Sequence, residues 1–361
     1  MPGGGSIRRA ARSLARSRHR ARERRSPLDP GGIIAATLAG DPIHAIDVGA
    51  AGGVAPQWCD YLPVLEVDCF EPDAAECAAR QRDSPSNLRW FPVALAGTSG
   101  RHPFYVLNRS TGSSLYPPND PIILEYSGRA YAGVRRVVDI DCLSLRDFLE
   151  QYRRRVPALM KLDTQGTELE ILSSLSSDQF EDVLCVETEV EFVQLYKDQP
   201  LFGDVDSFMR NRGFRLLDLR THRSYRNAHD QAHHYLRKYL DTATGTPALS
   251  AELVAGDALY FRESALQPSA VSMAKLIRSV CLLRLYRFYD LAFWLVERAA
   301  HEEVISASDA VTLIRDVARS APHPTLAQRD GFAGAVARRA LWALGHDDHE
   351  VFWTRRRWPD Q

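Results

Sequence analysis

Apolar residues follow two rhythms along this chain. Between Ile43 and about Arg262, short β-branched and aromatic runs alternate with segments whose apolar positions step by three and four. That alternation predicts a parallel sheet with helices on both faces, an α/β class. Seven strands are expected: Ile43–Val48, Val64–Phe70, Leu88–Val93, Ala158–Leu162, Val183–Glu189, Phe214–Leu219 and Ala258–Phe261. Two further extended pieces, His102–Leu107 and Val134–Ile140, interrupt the third crossover and are expected to pair as a hairpin. From Ser264 the pattern turns helical, with Met273 to Arg298 the clearest run. There Arg284, Arg287, Asp290, Glu297 and Arg298 share one sector of a helical wheel, and leucines and aromatics fill most of the rest. So broad a stripe predicts a core helix, with a membrane-surface or dimer-forming helix as the alternative.

The organisation expected is an Arg-rich flexible arm over residues 1–30, a catalytic α/β domain over 31–263 and a helical C-terminal extension over 264–361. Ser26-Pro27-Leu28-Asp29-Pro30-Gly31-Gly32 breaks any helix between arm and domain.

Composition narrows the class. With 361 residues, 45% apolar and 25% charged, the chain can build a sizeable core, which sets aside disorder and disulfide-dense mini-folds. The longest uncharged stretch, Val48 to Cys59, is too short and too rich in glycine to span a bilayer. The net charge of −1 conceals nine arginines in residues 1–30 against Glu23 and Asp29, a local +7 that leaves −8 elsewhere. Lacking a regular apolar stripe, the arm is expected to make peripheral contact with an anionic membrane or polymer, and no specific nucleic acid is expected. Six cysteines at irregular spacing suit reduced thiols and a cytoplasmic setting better than a disulfide frame or a zinc site.

Candidate chemistry gathers at strand ends. The first strand closes on Asp47, Val48, Gly49 and Ala50, with Gly53 following. Glycines there permit sharp turning and close approach to a ligand. An acid beside such a loop repels pyrophosphate and attracts an ammonium group, and the dinucleotide fingerprint G-x-G-x-x-G is missing. S-adenosylmethionine is therefore favoured over a nicotinamide cofactor. Glu71 ends the second strand 24 residues after Asp47, the spacing that brings a carboxylate to ribose hydroxyls, while Asp73 is expected to cap the next helix. Asp163 follows the buried run Ala158–Leu162. After it, Glu187, Glu189 and Glu191 alternate along one strand face. The long connection 220–256 holds Arg220, His222, Arg223, Arg226, His229, His233, His234, Arg237 and Lys238 and is expected to form an acceptor lid or a solvated loop. No metal site is expected, since nothing supplies a third ligand beside His229 and His233.

These residues resemble the FkbM family of S-adenosylmethionine-dependent methyltransferases. The matching stretches are Ile46-Asp47-Val48-Gly49-Ala50 with Gly53, Phe70-Glu71-Pro72-Asp73, Val93-Ala94-Leu95, Lys161-Leu162-Asp163-Thr164-Gln165-Gly166-Thr167-Glu168 and Val186 to Phe192. They run on through Gln199-Pro200-Leu201-Phe202 and Arg212-Gly213-Phe214, so the likeness covers about residues 40–262. Ala51 stands where the family often has Asn. The resemblance implies a seven-stranded Rossmann-like class I methyltransferase sheet and O-methylation of a sugar, glycan or polyketide-like acceptor, as in polysaccharide biosynthesis. Cofactor contacts are expected at Asp47, Gly49, Ala50, Gly53, Glu71 and Ala94. An alcohol's proton must be removed, and Asp163, Glu187 and Glu189 are the convergent carboxylates expected to be catalytic, with Asp163 favoured by its position. The competing expectations are an inactive methyltransferase-like module recruited by its basic arm and, less favoured, a nicotinamide-dependent oxidoreductase. A homodimer would be expected to form through the C-terminal helices.

Overall fold

The computed structural model describes residue 28 and residues 32–126, 133–224 and 252–320. Ten strands are present among them: β1 Ile43–Val48, β2 Leu65–Phe70, β3 Leu88–Phe91, β4 Ala94–Ala96, β5 Gly100–Leu107, β6 Val134–Ser144, β7 Leu159–Leu162, β8 Cys185–Glu191, β9 Phe214–Ser224 and β10 Glu252–Arg262. Seven form one sheet in the order β3-β2-β1-β7-β8-β10-β9, parallel except for β10, which runs antiparallel to both neighbours. The doubly wound sheet expected from the sequence is thus present. The order reverses at β1 and β7, so their carboxyl ends open a crevice at the switch point.

The helices are α1 Ile33–Leu38, α2 Ala74–Asp83, α3 Asp120–Tyr126, α4 Leu145–Gln151, α5 Glu168–Ser173, α6 Ser177–Phe180, α7 Phe202–Asn211, α8 Met273–Leu285, α9 Tyr289–His301 and α10 Ala307–Ser320. A 3₁₀ helix, Pro56–Val64, follows the glycine loop. Strand alternation sends side chains to two cores. On one face Ile43, Ala45, Val67, Leu159 and Cys185 pack with α1 and with Leu276, Ile277, Val280 and Leu313 of α8 and α10. On the other, Ile46, Val48, Met160, Val186 and Val190 pack with Leu145 and Phe148 of α4, Ile171 of α5 and Met209 of α7. The helices after residue 264 therefore supply one covering layer of the sheet and share its core.

Several expected boundaries move. Val64 belongs to the 3₁₀ helix, and β3 stops at Phe91, before Pro92, which has no N–H for a ladder. β8 starts at Cys185 and reaches Glu191. The connection 220–256 is shorter than expected, because β9 continues through Ser224 and β10 begins at Glu252. Arg220, His222 and Arg223 are strand residues, while Arg226, His229, His233, His234, Arg237 and Lys238 lie outside the described residues, as do residues 1–27. The two extended pieces do pair antiparallel, as β5 and β6, but within a separate three-stranded sheet that β4 joins in parallel.

The expected helix Met273–Arg298 is two helices. Between them Arg287 adopts φ +66°, the Arg287 N–H bonds Arg284 O at 3.0 Å and the Phe288 N–H bonds Leu283 O at 2.8 Å. That pair of bonds is a Schellman ending with a non-glycine residue in the left-handed position. Arg284 and Glu297, expected on the polar sector, are buried.

Candidate active site

The site grows from one transverse row of the sheet. Strand register places Cys69, Asp47, Lys161 and Glu187 side by side on β2, β1, β7 and β8. All four project to the face covered by the 3₁₀ helix and α8. A lysine within the apolar run Leu159–Leu162 needs anionic partners when buried. Its Nζ lies 3.9 Å from Asp47 Oδ1 and 3.3 Å from Asp163 Oδ2. Those carboxylates, with Glu187, outweigh burial and raise its pKa.

Asp47 is 1% exposed, and its Oδ2 accepts the Ala55 N–H at 2.7 Å, folding the glycine loop back over the strand. Its Oδ1 is buried without a hydrogen-bond partner. Burial pushes the Asp47 carboxyl up to about 6. Gly49, at φ +83°, leaves β1 so close to β7 that a Cβ would stand 2.0 Å from Asp163 O. Only glycine fits that approach. Ala50 is buried beside it, with its N–H and that of Gly49 bonded to Phe70 O. Gly53, at φ +102°, turns the loop away, and Arg80 of α2 donates to Ala51 O at 3.1 Å.

Glu71 stands at the carboxyl end of β2, half-buried, and one oxygen accepts the Asp73 N–H at 3.0 Å. Burial raises its pKa. Asp73 caps α2 by accepting from the N–H groups of Ala75 and Glu76 at 2.8 and 3.1 Å. Ala94 opens β4, just past the end of β3. Asp47, Gly49, Ala50 and Glu71 thus lie where β1 and β2 leave the seven-stranded sheet, with Gly53 at the far side of the glycine loop and Ala94 at the start of β4 in the smaller sheet.

The three carboxylates proposed for chemistry do not share one environment. Asp163 ends β7 with its side chain 41% exposed, held by Lys161 and by Gln165 Nε2 at 3.2 Å. Gln165, at φ +62°, also donates to Glu189, so one amide ties the two carboxylates together. Its Oε1 lies 3.0 Å from the Tyr196 hydroxyl. Beneath it Glu168 accepts from Thr164 N and Gly166 N at 2.6 and 2.9 Å and fixes the turn. Burial and neighbouring carboxylates push Glu189 and Glu191 well above the usual carboxylate range. Glu187, 3% exposed, is enclosed. Gln57 Nε2 and the Tyr286 hydroxyl donate to its Oε2 at 2.7 and 2.8 Å, and Arg220 donates to Oε1. Glu187 and Asp163 both act on Lys161, but only the Asp163 side chain is substantially open to solvent.

Sequence reasoning did not assign roles to Lys161, Gln165, Gln57 or Tyr286. Lys161 carried a usable signal, a cation inside an apolar strand run. Tyr286 carried none, because its contact with Glu187 joins segments 99 residues apart. Among the described residues no group of three His, Cys, Asp or Glu is arranged to hold a metal ion, and no helix is long and apolar enough to cross a membrane.

Comparison with known proteins adds the following. Curated proteins give no match. Among solved structures, precorrin-6y C5,15-methyltransferase from Geobacter metallireducens is similar at 8% identity and TM-score 0.28, covering 64% of this chain and 87% of that one. The 1,6-didemethyltoxoflavin-N1-methyltransferase of Burkholderia thailandensis, solved with 1,6-didemethyltoxoflavin and S-adenosylhomocysteine, is similar at 11% and 0.25, covering 73% and 92%. StiE O-MT, residues 961–1257 of that protein, is similar at 11% and 0.28, covering 77% and 86%. The family model described as methyltransferase FkbM domain matches residues 47–216, the span from Asp47 into β9. Over those 170 of the 361 residues the chain is similar to a methyltransferase FkbM domain.

Proposed function

We propose that the protein takes S-adenosylmethionine as its methyl donor and transfers the methyl group to a hydroxyl oxygen of a sugar, glycan or polyketide-like acceptor, with Asp163 receiving the hydroxyl proton. The observation carrying this is the place of the Asp163 carboxylate. It stands at the switch-point edge, is partly open to solvent, and its own backbone carbonyl packs on Gly49 of the donor loop.

The chain's groups fit the donor's polar ends. Asp47 Oδ1, buried and without a hydrogen-bond partner, is an acceptor in want of a donor, and an α-ammonium supplies one. Glu71 keeps one oxygen for ribose hydroxyls while the other holds the Asp73 N–H. Gly49 and Ala50 keep the loop close, and Ala94 offers a small wall beyond β3. When bound, the donor supplies an electrophilic methyl group on a sulfonium.

The remaining chemistry belongs to the chain. An alcohol is a weak nucleophile, so its oxygen must be aligned and its proton accepted. Lys161 keeps Asp163 oriented, and Gln165 fixes the other carboxylate oxygen while linking it to Glu189. Glu189, which burial favours in the protonated form, can donate through its own O–H once the acceptor needs a hydrogen-bond partner. Glu187 orients Arg220 toward the acceptor side and is a positioning residue in this scheme.

The test uses Asp163→Asn, which keeps the shape and removes the charge. Donor affinity by isothermal titration and melting temperature should be unchanged, while S-adenosylhomocysteine release in single turnover with a panel of monosaccharides, glycans and polyketide alcohols should fall about 100-fold or more. Retained turnover with a lower melting temperature would assign Asp163 to the turn alone. Turnover only with amine acceptors would overturn the oxygen specificity.

A further inference from the structure

The small sheet leaves one strand half open. β6 pairs with β5 along one side, from Val134 to Cys142, but β4 covers only Cys142–Ser144 on the other. Among the described residues nothing pairs with Val134–Asp141 on that second side. Val137 and Val134 are 52% and 40% exposed there.

Hydrogen bonding shows which residues face the open side. Tyr105 of β5 exchanges backbone bonds with Ser114, N–H to O at 2.8 Å and O from N–H at 3.3 Å, so its polar groups point away from β6. Opposed residues of an antiparallel ladder turn their backbone groups both inward or both outward. Val137, opposite Tyr105, therefore presents its N–H and C=O outward. Asp139, opposite Pro103, does the same, and a proline belongs at a position that donates nothing to the ladder. Arg135, skipped by the irregularity between Val106 and Leu107, is not paired with β5.

An open edge bearing exposed valines is a template for another strand, and the charges along this one select which. Arg135 and Arg136 lie at one end, Asp139 and Asp141 at the other. A second copy laid parallel would oppose like charges. Laid antiparallel, each cationic end meets an anionic one. Centring the two-fold on Val137 sets Val137 against itself and Arg135 against Asp139, an apolar pair flanked on both sides by opposite charges.

We propose that this edge of β6 pairs antiparallel with the same edge of a second copy of the chain, making one continuous sheet centred on Val137. Sedimentation velocity on the full chain over about 1–100 µM should show a concentration-dependent dimer. Val137→Pro removes an N–H that only the second copy would use, so dimerisation should weaken at least about tenfold with melting temperature unchanged. Arg135→Asp should weaken it likewise, and Arg135→Asp combined with Asp139→Arg should restore it. Should the proline variant melt early, the charge exchange decides alone. A monomer over the whole range overturns the proposal. So does a dimer that survives both single substitutions or is abolished instead by Trp294→Glu on the exposed side of α9.

Discussion

The Asp47 carboxyl sets the strictest condition at the residue scale. Its pKa is raised from 3.8 to about 6, so the folded protein holds that proton more tightly than the unfolded chain does. The contribution to stability is complete below about pH 4 and is lost as pH rises through 6. Asp47→Asn keeps an acceptor for the Ala55 N–H and removes the buried charge. It should be more stable than the parent at pH 7.5 by up to about 3 kcal/mol and indistinguishable near pH 4, read by urea unfolding at both values. The same variant should bind S-adenosylmethionine more weakly, because the ammonium loses its anion. Parent affinity should rise with pH through about 6 as that anion forms. Asp47, Gly49, Glu71 and Asp163 were legible because each ends a strand, where one-dimensional spacing already encodes position. The different enclosure of Glu187 and Asp163 was not legible. Both follow apolar strand runs, and only the side chains of Gln57, Tyr286 and Arg220 show that one carboxylate is enclosed and the other open.

For whole elements, strand identity came through and helix endings did not. Apolar runs such as Leu159–Leu162 and Cys185–Val186 announce buried parallel strands whatever surrounds them. Helix endings usually announce themselves by glycine, yet α4, α8 and α9 end with Arg153, Arg287 and Glu303 at φ +50°, +66° and +57°. With no glycine at the break, α8 and α9 read as one helix. The left-handed backbone costs a side-chain-bearing residue about 1 kcal/mol. Arg287→Gly should therefore raise stability by about 0.5–1 kcal/mol, measured by chemical denaturation. No change would mean that the arginine's own contacts offset the strain. The break also leaves Tyr286 donating to Glu187, tying the last layer of helices to the row of Asp47, Lys161 and Glu187.

Taken as a whole molecule, the chain closes on itself. Asp316 of α10 accepts the Ile34 N–H at the start of α1 at 3.3 Å, and a Cβ on Gly32 would collide with that carboxylate. Asp316→Ala should cost about 1–2 kcal/mol in thermal or urea unfolding, with donor affinity unchanged. A shift in affinity would mean the contact reaches the site. For the Arg-rich residues 1–27 the expectation is long-range attraction to anionic surfaces. Removing residues 1–27 should leave folding and donor binding intact and abolish pelleting with anionic liposomes at about 50 mM salt. The intact chain should lose that pelleting near 300 mM. Equal pelleting of both forms at low salt would refute the role. The joint core of sheet and C-terminal helices also bears on how the protein is made. A ribosome releases the whole sheet, through Arg262, before it has built α8 to α10. At about 5–20 residues per second, the 58 residues from Glu263 to the end of α10 at Ser320 take about 3–12 s to add. For those seconds the nascent chain carries Ile43, Ala45, Val67 and Leu159 without the cover of α8 and α10, so vectorial synthesis leaves apolar sheet surface waiting for the last helices.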